Sequence, residues 1–160
     1  MGSGSHHAAF LLSPIGNRMD RADTNLALNR LLVILLRSFP MYLTHARPWT
    51  HDGDEQALEV LEHIVADQQG LAERISEFIL DSGGEVHTGE FPMDYTDRHD
   101  LSMQYIVRLA IDYQTRDVAA IKRLVDELRM APAAKELAEE ALGLAKGHLE
   151  SLQELVKQPA

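Results

Sequence analysis

The hydrophobic residues of this 160-residue chain recur at helical spacing almost throughout, and no alternating strand pattern is visible. The pattern predicts four long helices, which we call helices A to D. Helix A runs from about Thr24, a suitable N-cap, to about Ala46, with a kink at Pro40 because proline removes the hydrogen bond to the Leu36 carbonyl. Helix A is hydrophobic on nearly all of its faces, which indicates either a central position or a contact with another subunit.

Helix B is predicted between an acidic segment and a pair of glycines. Asp52 or Asp54 can cap its start, and the segment DSGG (81–84) closes it, since glycine readily takes the left-handed conformation at a helix end. Its hydrophobic stripe consists of Leu58, Leu61, Ile64, Val65, Leu71, Ala72, Ile75, Phe78 and Ile79.

Helices C and D follow a long connecting segment. Helix C is predicted to begin near Thr96 or Asp97, and helix D begins at Pro132 and runs almost to the end of the chain. The predicted stripe of helix C is Leu101, Tyr105, Leu109, Ala119, Leu124 and Leu128, and that of helix D is Leu137, Ala141, Leu144, Ala145, His148, Leu152 and Leu155. Four such helices bury one another as an all-α bundle.

Composition and charge exclude several classes of function. The formal charge of −10 argues against nucleic acid as a partner, since phosphate binding needs clustered Lys and Arg. The absence of cysteine excludes disulfides and fits a reducing, cytoplasmic location. The apolar run in helix A is interrupted well short of the roughly 20 residues that a bilayer requires, so no membrane association is expected. We expect residues 1–23 to form a flexible tail, and its start, MGSGSHH, reads as vector-derived, so His6 and His7 are set aside.

Several segments, in order, resemble ferritin-like proteins. LNRLL (Leu28–Leu32) and YLTHAR (Tyr42–Arg47) resemble the first helix of bacterioferritins, and LAERI (Leu71–Ile75) resembles helix B of ferritins and Dps-type mini-ferritins. The segments 108–121 and 147–155 are similar to the third and fourth helices. The resemblance implies a ferritin-like antiparallel four-helix bundle over 24–157, with a long connection between the second and third helices.

The family's di-iron chemistry would use one Glu from each of two helices and a Glu-x-x-His pair from each of the other two. The resemblance places these six positions at Leu35, Ile64, Asp67, Asp112, Ala145 and His148. Because Leu35, Ile64 and Ala145 are aliphatic, the resemblance implies a degenerate site. At most Asp67, Asp112 and His148 remain, which could hold one divalent metal such as iron or zinc. The haem-ligating methionine of bacterioferritins falls on Val65, so haem is not expected.

Each candidate ligand also has a purely structural interpretation. His148 can be a buried neutral imidazole hydrogen-bonded to an acid or a tyrosine, and Asp112 can pair with Arg116 one turn later. Glu59 and His63, at i and i+4, form a weaker surface alternative for a metal, as do His63 and Asp67. Such charged stripes are more often simply solvated.

Three classes of function therefore stay open. The chain can be an oligomeric structural or binding protein without an intact ferroxidase centre, which is the interpretation we favour. It can be an iron-binding protein or oxidase with a reduced metal site at Asp67, Asp112 and His148. It can also bind an apolar small molecule near Leu35 and Ala145. A homo-oligomer, at least a dimer, is expected through helix A.

Overall fold

The computed structural model describes residues 19–48, 50–96 and 101–157. It contains five α-helices, α1 (Arg21–Leu36), α2 (Phe39–Ala46), α3 (Glu55–Asp81), α4 (Met103–Glu127) and α5 (Pro132–Lys157), and one 3-10 turn (Met93–Tyr95). No strand occurs in these ranges, and the predicted all-α class is confirmed.

The predicted helix A is two helices. It starts earlier than expected, at Arg21, because Asp20 and not Thr24 supplies the N-cap, with its side chain accepting a hydrogen bond from Ala22 N. The helix stops at Leu36, and the axes of α1 and α2 differ by 47°. Ser38 then caps α2 by accepting a hydrogen bond from Met41 N at 3.2 Å. Pro40 thus lies in the first turn of α2, where its missing N–H costs nothing.

Helix B is confirmed as α3, with a different capping pattern. Asp54 stands at the N-cap, but its carboxylate accepts a hydrogen bond from His51 N at 2.7 Å instead of from a helix N–H group. The end of α3 is as predicted. Gly83, with a φ of 81°, supplies the left-handed residue that turns the chain away.

Helix C begins later than predicted. Thr96 follows a 3-10 turn, Asp97 lies outside the described residues, and α4 begins at Met103 because Ser102 is its N-cap. The predicted stripe of this helix was right in part: Leu124 and Leu128 are buried, but Tyr105 is 46% exposed and Ala119 is exposed. The residues of α4 that are buried are Met103, Ile106, Val107, Ala110, Gln114, Ile121 and Leu124. Helix D is confirmed as α5.

The contacts between helices define their directions. Ser38 of the α1–α2 junction meets Gln68 of α3, while Asn25 near the start of α1 meets Ser82 at the end of α3, so the two run antiparallel. Asp67 and His148, together with Arg74 and Glu140, show that α3 and α5 are also antiparallel. Only residues 128–131 join α4 to α5, and the Gln114 amide of α4 meets the Ala145 carbonyl of α5, so these two helices are antiparallel and α3 and α4 run parallel. The connection between α3 and α4 must therefore return along the bundle, in agreement with the predicted long connection.

This long connection lies against the outer side of α1. The Asn29 side chain donates to the Glu85 carbonyl at 2.8 Å and accepts from His87 N at 2.7 Å. Arg37 donates to the carbonyls of residues 88 and 89 at 3.1 and 3.0 Å. Gly89 has a φ of 62°, and a Cβ there would lie 3.1 Å from a methyl group of Val33. The connection thus covers part of the hydrophobic surface that made helix A unusual.

No single helix in the described ranges is long and apolar enough to span a bilayer. The bent pair α1 and α2 passes such a test together, on length and composition only.

Replacing Asn29 with alanine should loosen the long connection. Asn29 is buried and satisfies one backbone carbonyl and one backbone N–H, so we expect Asn29→Ala to lower the free energy of unfolding by about 1–3 kcal/mol. Urea denaturation of the wild type and the variant measures this difference in the free energy of unfolding. Arg30→Ala is the control, since the exposed Arg30–Glu127 ion pair should contribute about 0–1 kcal/mol. An Asn29→Ala variant as stable as the wild type would contradict the anchoring role.

Candidate functional site

Asp67 and His148 meet across the α3–α5 interface. His148 Nε2 lies 2.7 Å from Asp67 Oδ2. The His148 side chain is 7% exposed and that of Asp67 is 30% exposed, so the carboxylate lies at the edge of the interior and the imidazole within it. Two of the three predicted metal ligands are therefore in direct contact. This is also the hydrogen-bonded acid–imidazole arrangement that was the structural interpretation of His148.

A second imidazole approaches the same carboxylate oxygen. His63 Nε2 lies 3.6 Å from Asp67 Oδ2, in the i,i+4 relation that the sequence suggested, and its side chain is 76% exposed. Its other possible partner, Glu59, makes no ion pair with it. Asp67 thus connects a surface histidine to a buried one.

Asp112, the third predicted ligand, does not join this group. It lies on an exposed face of α4, whereas the resemblance places it among the ligands of a centre inside the bundle. The predicted pairing with Arg116 is not formed either. The Arg116 guanidinium instead stacks over the Tyr113 ring, 5.1 Å from its centroid. The physical reason is the rotation of α4, which turns Gln114 and not Asp112 into the interior.

The aliphatic positions of the candidate centre are all in the core. Leu35 is 4% exposed, Ile64 is 1% exposed and Ala145 is 4% exposed. Two buried amides lie among them, and each makes one hydrogen bond to a protein atom. Gln68 accepts from the Ser38 hydroxyl at 2.8 Å, and Gln114 donates to the Ala145 carbonyl at 3.0 Å.

Asp117 is an interior carboxyl group that the sequence analysis did not identify. It lines a small hollow at the middle of the bundle together with Gln68, Gln114 and His148, and this hollow has room for about one water molecule. Burial raises the pKa of Asp117 to about 7, although the neighbouring Arg116 cation opposes the shift. The Asp117 carboxyl therefore titrates near neutral pH.

Asp117 also affects a buried aromatic cluster. Tyr95 packs against Phe39 and Tyr113, with ring centroids 5.3 and 5.0 Å apart. Burial raises the pKa of the Tyr95 hydroxyl, and the charge of Asp117 raises it further. Tyr95 is thus held as a neutral phenol beside the polar interior.

Within residues 19–48, 50–96 and 101–157, no group of three or more His, Asp or Glu side chains is arranged so that it could hold a metal ion. Asp67 and His148 are joined by a hydrogen bond, and His63 stands slightly further away.

The sequence comparison decides the family. The family model of the ferritin-like domain matches residues 25–158. The chain belongs to the ferritin-like domain family. No curated protein and no solved structure matches it. The all-α bundle and its long connection are those expected of a ferritin-like protein.

A correct stripe for α4 would have revealed the missed interior groups of this ferritin-like chain. Gln114 and Asp117 continue the row that includes Ala110 and Ile121, one turn apart on the same face. Polar residues in an otherwise hydrophobic row are the signal of a functional or network position.

Asp117 should make stability depend on pH. Because its pKa is raised to about 7 in the folded state from 3.8, the native state holds this proton more tightly than the unfolded chain does. The contribution to stability is therefore complete below about pH 4 and is lost as the pH rises to about 7. Asp117→Asn, which removes this loss, should raise the free energy of unfolding at about pH 8 by roughly 1–3 kcal/mol and much less at about pH 4.

Denaturant unfolding at both pH values checks this prediction. Asp112→Asn on the same helix is the control and should show no such pH-dependent gain, because Asp112 is exposed. An equal effect of Asp117→Asn at both pH values would contradict the raised pKa.

Proposed function

We propose that this ferritin-like protein lacks an intact ferroxidase centre and acts as an oligomeric structural or binding protein. The observation that carries the proposal is the chemistry at the six positions that the family resemblance assigns to the di-iron ligands. Leu35, Ile64 and Ala145 provide no donor atom and are buried. Asp112 faces solvent.

The remaining donors do not fit a pair of iron ions. A di-iron centre of this family draws on carboxylates from all four helices and two imidazoles. Here Asp67 and His148 both lie at the α3–α5 interface, and the interior amides Gln68 and Gln114 already have protein partners. Two ions would be poorly held by so few ligands, so we derive no iron-dependent reaction for this site.

The interior also gives little support to a small-molecule site. A hollow does lie beside Leu35 and Ala145, where an apolar ligand was considered, but it has room for only about one water molecule. Drug-sized ligands occupy cavities of about 300–1,000 Å³. The outer surface is therefore a better candidate for interactions than the bundle interior.

Hydrophobic residues on the surface support self-association. Leu26 on α1 is 63% exposed and Leu80 near the end of α3 is 60% exposed. The long connection covers Val33 but leaves Leu26 open, so part of the outer face of helix A is still available to a second subunit.

An anaerobic Fe(II) titration, followed by admission of dioxygen, tests the proposal. We expect fewer than two tightly bound ions per chain and no oxidation faster than the buffer background, with a bacterioferritin as the positive control. His148→Leu should leave the oxidation trace unchanged. It should also be tolerated, changing the free energy of unfolding by about 1 kcal/mol or less, because Asp67 stays partly open to water. Two tight ions, with fast oxidation that His148→Leu abolishes, would overturn the proposal.

Self-association is tested by sedimentation analysis of the full chain. We expect a dimer or a larger oligomer. Leu26→Glu should raise its dissociation constant by at least about tenfold, because the introduced charge would be buried at an apolar interface without solvent. Val156→Glu, at a residue that is 48% exposed on α5, is the matched control and should not change the mass. A monomeric wild type, or equal effects of both variants, would contradict a contact through α1.

A further inference from the structure

We propose that the hydrophobic segment 9–15 docks, in an extended conformation, into a surface groove between α1 and α4 of the same subunit. Residues 1–18 lie outside the described residues, and the sequence alone predicted a flexible tail there. The inference goes beyond the proposed function, which concerns the ferroxidase centre and self-association.

The groove is a hydrophobic hollow of about 370 Å³ on the surface of the bundle. Its lining residues are Arg30, Val33, Ile34, Ala120, Arg123 and Leu124. The four hydrophobic residues among them are buried or half-buried, whereas both arginines are exposed. The groove therefore presents hydrophobic surface that a hydrophobic segment of suitable length can cover.

The described chain begins close to one end of this groove. Met19 N donates to the Met130 carbonyl at 3.4 Å, and the Met19 side chain packs against the hydrophobic core. The residues that precede Met19 therefore start beside the end of α4. From that point α1 and α4 lie side by side, joined by the Arg30–Glu127 ion pair at 2.8 Å, and the groove follows between them.

Segment 9–15 is long enough to reach the groove. Ile34 lies about 20 Å along α1 from its first residue, since a helix rises about 1.5 Å per residue. An extended chain advances about 3.4 Å per residue, so Leu12 can lie up to about 24 Å from Met19, and Phe10 up to about 30 Å. Another surface hollow, around Val107, lies about 30 Å along α4 from the end of that helix, at the limit of this reach.

The chemistry of the segment, AFLLSPI, suits a hydrophobic groove. It has no charged residue, and Phe10, Leu11 and Leu12 are consecutive large hydrophobic side chains that gain from leaving water. Pro14 disfavours a helical conformation for the residue before it, so an extended conformation is favoured at this point. An extended segment can place alternate side chains in a groove while its backbone stays open to solvent.

The charges at the edge of the groove favour this neutral segment over an acidic partner. Arg30 is already neutralised by two hydrogen bonds to the Glu127 carboxylate, at 2.8 and 3.2 Å. Arg123 uses Nε for a contact with the Ala119 carbonyl at 3.4 Å, which leaves its terminal N–H groups for a carbonyl of the docked segment.

Docking is compatible with self-association through α1. Leu26 and Ile34 are eight positions apart and therefore point about 80° away from each other around the helix. Ile34 faces the groove beside α4, so a segment in the groove leaves Leu26 open to a second subunit.

Thiol labelling of an Ala120→Cys variant of the full chain tests the docking, because the chain has no cysteine of its own. We expect the new thiol to react with a maleimide at least about tenfold more slowly than the same thiol in a Phe10→Ser/Leu12→Ser background, since a docked segment must open before the reagent enters. His6→Ala/His7→Ala, in the preceding part of the chain, is the matched control and should leave the labelling slow. Equal labelling rates in all three backgrounds would overturn the proposal.

Disulfide crosslinking identifies the position of the segment. With oxidised glutathione as the oxidant, Leu11→Cys/Ala120→Cys should form an intramolecular disulfide at least about tenfold faster than Leu11→Cys/Lys146→Cys. Lys146 is exposed and lies about 21 Å along α5 from its first residue, so a freely moving tail would reach either position. Equal crosslinking rates would overturn the docking, and a covalent dimer as the main product would overturn docking within one subunit. Neither readout depends on iron or on the mass of the oligomer, so a failure here is separate from a failure of the proposed function.

Discussion

The parallel orientation of α3 and α4 is the constraint on which the rest of this structure depends. Two consecutive parallel helices cannot be joined by a short turn, so the chain must return along the bundle before α4 can begin. The returning segment needs partners for its backbone groups, and Asn29 and Arg37 supply them from the α1 side. Helix A is consequently enclosed on two sides, by the bundle and by this connection. This enclosed position explains why helix A has hydrophobic residues on several faces. Leu26 is the main hydrophobic residue of the helix that stays exposed.

The interior of the bundle is polar at its middle, where Gln68, Gln114, Asp117 and His148 line a small hollow. Gln68 and Gln114 each make a hydrogen bond to a protein atom, and the buried imidazole of His148 makes one to a carboxylate at the interface. The Asp117 carboxyl avoids the cost of burial by holding its proton up to near-neutral pH. A polar network of this kind can fix the register of four helices without any bound ion.

The sequence predicted α3 and α5 better than α4. The predicted stripes of α3 and α5 agree with the residues that are buried, and His148 lies within the stripe of α5. In α4, hydrophobic residues occur on more than one face. The sequence pattern alone does not distinguish the face that includes Tyr105 from the buried face that includes Ala110. Successive residues are about 100° apart around a helix, so positions 112 and 114 point in nearly opposite directions. The family resemblance assigned a ligand position to Asp112, on the exposed side with Tyr105, and the predicted stripe left Gln114 and Asp117 unnoticed.

The sequence by itself determined the helices, the long connection and membership of the ferritin-like family, because periodicity, capping residues and segment order are local properties of the chain. It also shows that Leu35, Ile64 and Ala145 are aliphatic at positions to which the family resemblance assigns metal ligands. Only the tertiary structure decided which face of α4 is buried and where helix A breaks. It alone brought His63 and His148 to the same carboxylate oxygen. These features depend on how one helix is rotated against another, and that rotation is set by the packing of all the helices together.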